Sequence, residues 1–223
     1  MPTINPDLKG RLSTMPLQSS GKDHQTMAAL TDMTLYRLAA SAGFGGAAVL
    51  LVNAAKRSGL IATNDLTQLL APVAEIMALG LVTGLFLAFG RRTGLFGAIA
   101  FLLHFVSLAS LEGVEVVINL VFSKLPMETI AELRAGPLGL ILTISSLLFL
   151  FSTIAFAIAL ATGKQVPRLP LMLYAMGAVP IALRAFVPEF ALDLGLVVLA
   201  TGVAWLAGWL WIRAATLDEK SLS

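Results

Sequence analysis

The chain has 223 residues, of which 57% are hydrophobic and only 13% charged, with a formal net charge of +2. Soluble domains average about 45–50% apolar and about 25% charged, so lipid rather than water is the expected solvent. Cysteine is absent, which excludes a disulfide framework, a thiolate metal site and a cysteine nucleophile. The basic residues lie in short loops between apolar runs, a distribution that membrane topology explains and nucleic-acid binding does not.

Residues 1–34 are polar and punctuated by Pro2, Pro6, Gly10 and Pro16, and read as a flexible cytoplasmic tail. They lack the basic-then-apolar start and cleavage site of a signal peptide. A mildly amphipathic segment, 27–37, leads into the first apolar run. Residues 35–213 then form the expected six-span transmembrane domain, followed by a short tail, 214–223. The first span, 35–52, carries Gly43, Gly45 and Gly46, small residues that let helices approach closely. The second, 69–89, has Pro72 in its first turn, Glu75 just inside, and Gly80 and Gly84 as a GxxxG packing stripe.

Gly90-Arg91-Arg92-Thr93 is so short a loop that spans two and three must form an antiparallel hairpin. The third span, 94–122, holds four awkward residues in an apolar run: His104, Glu112, Glu115 and Asn119. Residues 123–136 read as a short amphipathic helix at the interface. The fourth span, 137–161, has Ser145, Ser146, Ser152 and Thr153 as its polar groups. The fifth, 171–187, is interrupted by Pro180 and contains Arg184. The sixth, 194–212, ends in Trp205, Trp209 and Trp211, an interfacial aromatic cluster.

Runs of about 17–25 residues match a hydrocarbon core of about 30 Å, and in lipid they must be helical because open backbone groups find no partner there. The expected fold is an all-α integral membrane six-helix bundle. Loop charges set its orientation. The side of the termini holds Lys9, Arg11, Lys22, Arg37, Arg91, Arg92, Lys164, Arg168, Arg213 and Lys220; the other holds Lys56, Arg57, Lys124, Arg134 and Arg184. The excess of Lys and Arg places both termini in the cytoplasm.

With that topology Glu75, Glu112, Glu115, Asn119 and Arg184 fall in the outer half, and His104 near the midplane. At about 100° per residue, Glu115, Asn119 and Glu112 lie roughly 20°, 60° and 80° from His104, so all four share a face. Such a face is too costly against lipid and should look into the bundle or a water-filled cavity. Three readings are open. The carboxylates and His104 bind or relay a proton, a cation or a basic solute. Alternatively, Arg184 neutralises one or two of Glu75, Glu112 and Glu115, while His104 bonds a Ser or a carbonyl in a packed core. In the third, Glu112, Glu115 and Arg184 reach interfacial water and need no partner. A metal site is disfavoured, since one intramembrane His and no HExxH motif are present. Neither a cofactor motif nor a catalytic triad is found, so neither a cofactor nor enzymatic activity is expected.

Three segments, LAPVAEIMALGLVTGLFL (70–87), AGPLGLILTISSLLF (135–149) and VPRLPLMLYAMGA (166–178), resemble stretches of a family of bacterial six-helix membrane proteins classed only as a domain of unknown function. The resemblance spans about residues 35–212. The family's early acidic residue in span two is matched by Glu75. Its Arg and Glu early in span three are not; Leu102, Leu103, His104 and Phe105 stand there. The resemblance implies a bacterial plasma (inner) membrane protein and no particular activity. A transporter-like role, coupled to a proton or cation and handling a small solute, would use Glu115 and His104 as carriers, Glu75 and Glu112 as tuning groups, and Arg184 as the counter-charge. The second class is an accessory subunit, or a homo-oligomer, whose Gly-rich spans meet another membrane protein; the third is an intramembrane enzyme.

Overall fold

The computed structural model describes the backbone of residues 19–221 and the side chains of 32–90 and 92–215. Every regular element among them is helical: α1 (Ser19–Arg57), α2 (Asp65–Leu70), α3 (Val73–Phe89), α4 (Gly94–Val116), α5 (Met127–Ala135), α6 (Pro137–Thr162), α7 (Arg168–Ala182) and α8 (Glu189–Ser221). A single π turn, Val117–Val121, and a 3-10 turn, Phe122–Lys124, extend α4.

Five segments are long and apolar enough to cross a membrane: Asp32–Arg57, Asp65–Phe89, Gly94–Lys124, Pro137–Thr162 and Glu189–Ala215. The expected fifth span is the exception. Its helix, α7, has 15 residues, about 22 Å against a hydrocarbon core of about 30 Å. Pro180 lies inside it and supplies no N–H. The helix ends at Ala182 and a turn closes from Phe186 N–H to the Leu183 carbonyl (2.8 Å), so Arg184 sits beyond the helix rather than within a span.

Both ends of the chain are helical where they are described. Helix α1 starts at Ser19, inside the stretch read as a flexible tail; the rest of that tail, 1–18, lies outside the described residues. Between Lys22 and Thr34 there is neither Gly nor Pro to stop a helix already nucleated by the apolar run. In the same way Ala214, Ala215, Leu217 and Glu219 are strong helix formers, and α8 runs on to Ser221. Pro72 is not in the first turn of a span: it separates α2 from α3. Asn64 caps α2 reciprocally with Thr67, each side chain meeting the other's N–H at 2.9 Å.

The long helices run up and down and close into a ring. Helix α1 packs on α3, α3 on α4, α4 on α6, α6 on α7, α7 on α8, and α8 back on α1. Lipid is as apolar as leucine, so this packing draws on close approach and dispersion rather than on expulsion of water. Small residues make the approach. A Cβ on Gly43 would stand 2.8 Å from the Ala207 Cβ, and one on Gly80 3.1 Å from that of Ala42. At Gly84 it would collide with Ala39, at Gly45 with the Met77 sulfur, and at Gly46 it would touch Met77. The Gly stripes of α1 and α3 are thus covered from within the bundle. Outside, the ring is apolar: Leu38, Leu102, Leu140 and Phe151 are all more than 60% exposed.

Candidate functional site

Helix α4 shows how the ring sorts side chains. Leu102, Leu103 and Val106 face outward, whereas His104 and Ser107 are fully buried. His104 sits among hydroxyls and rings. Its Nε2 lies 2.6 Å from the Tyr174 hydroxyl of α7, and its Nδ1 3.2 Å from Ser152 Oγ of α6. Ser152 donates to Ser107 Oγ (2.7 Å), and Ser107 donates to the His104 carbonyl (2.7 Å). Phe149 and Phe156 stack over the imidazole. A neutral imidazole has one donor and one acceptor, so both ring nitrogens are satisfied.

Eleven residues further on, roughly 16 Å along the axis, α4 presents a second polar layer. Glu115 Oε1 accepts from Arg184 Nη1 (2.8 Å) and Oε2 from Asn119 Nδ2 (2.8 Å). The π turn holds Asn119 so that its amide also donates to the Glu115 carbonyl (3.0 Å). Such bulges recur at functional positions. Asn119 Oδ1 in turn accepts from Lys56 Nζ (3.0 Å), which also reaches Gln68 Oε1 (3.3 Å) and the Thr67 carbonyl (3.4 Å). Lys56 and Arg57 occupy the last turn of α1, which Gly59 terminates with positive φ (77°). Arg57 forms an ion pair with Glu189 and lies 3.4 Å from Asp193 Oδ1. That second contact meets the ion-pair distance but not hydrogen-bond geometry, since both atoms also lack a hydrogen-bond partner.

A cavity of about 880 Å³, mouth included, lies between the two layers. All six helices of the ring line it: α1 through Asn53, α3 through Glu75, α4 through Glu115, α6 through Phe149, α7 through Tyr174 and α8 through Leu199. It therefore sits on the axis of the ring, at the end away from the termini. Its outer part is charged and its depth apolar, with Leu108, Leu111, Phe149 and Val203. Towards the termini the lumen is filled by buried Leu81, Leu85, Phe156, Leu206 and Leu210, beside stacked Phe86 and Phe101 and the Phe89–Trp209 pair.

Glu75 stands in the first turn of α3, where the helix dipole favours an acid. Its Oε2 is buried without a hydrogen-bond partner. Asn53 Oδ1 is in the same condition, on a residue only 8% exposed. Both residues line the cavity. Leaving a buried polar atom unmet costs about 1–3 kcal/mol, so these two atoms mark where a partner would be stabilised.

The face expected to hold four cooperating residues is therefore divided. Glu115 and Asn119 line the cavity with Glu75 and Arg184; His104 does not, and joins it through Tyr174 and Phe149. Glu112 makes no hydrogen bond or ion pair among the described residues and lines neither of the two cavities described. Lys56, Asn53, Tyr174, Ser107 and Ser152 belong to the two layers but were not among the expected site residues. Lys56 reads as a loop residue because it ends an apolar run, and Tyr174 as an ordinary span aromatic. No group of three or more His, Asp or Glu side chains suited to a metal occurs among the described residues.

Comparison with known proteins finds no matching family model, no matching curated protein and no matching solved structure.

Proposed function

We propose that this chain is a six-span protein of a bacterial inner membrane, with both termini cytoplasmic, that binds a small solute or proton in the axial cavity and moves it in a transporter-like manner. The carrying observation is the Glu75 carboxyl group, held inside the ring on the wall of the axial cavity with Oε2 unpartnered. An ionisable group at that depth is expensive and is expected to meet a proton, a cation or a solute. A purely structural cluster would be satisfied, as the His104 layer is.

Supporting the sixth crossing, α7 must return the chain from the end of Gly90 to the end of Arg57, because α6 and α8 run the same way. Its shortfall in length is of the kind local bilayer thinning accommodates. The Lys and Arg excess on the side of the termini supports the orientation. In the resulting membrane frame the cavity faces the outside and the packed aromatic end faces the cytoplasm.

The roles within the site follow the geometry. Glu75 and Asn53 receive the ligand, Glu115 is the buried partner of Arg184, and His104 fixes Tyr174 rather than carrying a proton. Proteoliposomes scored for proton-gradient-driven uptake test this. Glu75→Gln is expected to abolish flux and Glu112→Gln to leave it at the wild-type rate. Equal flux in wild type, Glu75→Gln and protein-free vesicles would overturn the reading.

A further inference from the structure

The cavity's charges pair off unevenly. Glu115 is met at both oxygens, by Arg184 and Asn119. Arg57 has Glu189 and Asp193. Two groups are left over. Lys56 Nζ has three acceptors, all of them neutral, so its hydrogen bonds are satisfied and no carboxylate touches it. Glu75 Oε2 has no donor. One cation and one carboxyl group without a contacting counter-charge thus line one cavity, from opposite sides of the α1–α3 contact.

From this we infer that the cavity takes a small zwitterion of the α-amino-acid type with an apolar side chain. The inference rests on the solute-binding reading above and names its ligand class. A ligand ammonium supplies the donors that Glu75 Oε2 and Asn53 Oδ1 lack. A ligand carboxylate meets the Lys56 charge at the mouth. The side chain lies along Leu108, Phe149 and Leu199, in the apolar depth. A zwitterion brings no net charge into the lumen, which spares the desolvation of an unpaired ion. A simple amine would leave Lys56, with Arg57 and Arg184 beside it, facing a further cation. A simple carboxylate would leave Glu75 unmet.

The test is calorimetric binding to the purified full-length protein in nanodiscs, with three probes of one shape: leucine, isopentylamine and 4-methylpentanoate. Leucine is expected to bind, and each half-analogue to bind at least about tenfold more weakly, since each forfeits one charged contact. Glu75→Gln should weaken leucine and the amine alone, and Lys56→Met leucine and the carboxylate alone. The probe comparison in wild type does not depend on how any variant folds. If the amine matches leucine, the zwitterion inference fails while a cationic-solute site stands. If no probe binds but Glu75-dependent proton flux persists, the inference fails and the transport reading survives. If neither binding nor flux is found, both fail.

Discussion

Helix α4 carries two polar layers that differ in how completely they are met. Around His104, each imidazole nitrogen, Ser107 and Ser152 has a partner, and Phe149 and Phe156 stack on the ring. Around Glu115 the charges are paired but Glu75 and Asn53, on the same cavity wall, keep buried atoms without a hydrogen-bond partner. The same helix, the same inward face and similar residue types give a closed structural knot at one height and a receptive cavity at another. Satisfaction, more than polarity, separates scaffold from site.

Substitutions can break that contrast. The largest loss is expected at Arg184→Ala, because Glu115 is then left as an uncompensated carboxylate; both side chains are under a quarter exposed. Thermal unfolding in detergent should show destabilisation of about 3–5 kcal/mol. Adding Glu115→Gln should recover most of it, and an additive double mutant would show the two are not paired. Next comes Tyr174→Phe, which strips His104 Nε2 of its partner and should cost about 1–3 kcal/mol. Because Tyr174 also lines the cavity, ligand binding should weaken while Glu75-dependent proton flux remains. Smaller still is the stability effect of Glu75→Gln: the side chain keeps its size and loses no hydrogen bond to another residue, so unfolding should be unchanged or slightly later even though flux is lost. Glu112→Gln should shift stability by no more than about 0.5 kcal/mol and leave flux intact. A Glu112→Gln defect equal to that of Glu75→Gln would mean the acidic cluster works as one unit.

Much of the architecture was legible in the sequence, and the reasons are physical. Long apolar runs force helices, the Gly90–Thr93 loop forces a hairpin, and Gly43, Gly80 and Gly84 mark close approach. The inward face of α4 followed from cost in lipid. Its division did not, because angular phase records direction around a helix and ignores height. His104 and Glu115 lie only about 20° apart in phase yet roughly 16 Å apart along the axis. Partners from other helices were equally hidden. Nothing local says that Tyr174 is level with His104 or that Lys56 reaches Asn119; the order of packing around the ring decides both. The shortness of α7 was hidden because hydropathy runs on through Leu183 and Phe186, while Pro180 and the following turn end the helix sooner.

The absence of native cysteine makes the contrast between the layers directly measurable. Single cysteines placed at Ala78, on the cavity wall, and at Ser107, in the closed layer, can be exposed to a charged, membrane-impermeant thiol reagent in intact cells. Ala78→Cys should be modified from outside and protected by bound ligand, while Ser107→Cys stays unreactive until the protein is unfolded. Equal modification of both, or silence at Ala78→Cys from either side of the membrane, would contradict an axial cavity open at one end and sealed at the His104 layer.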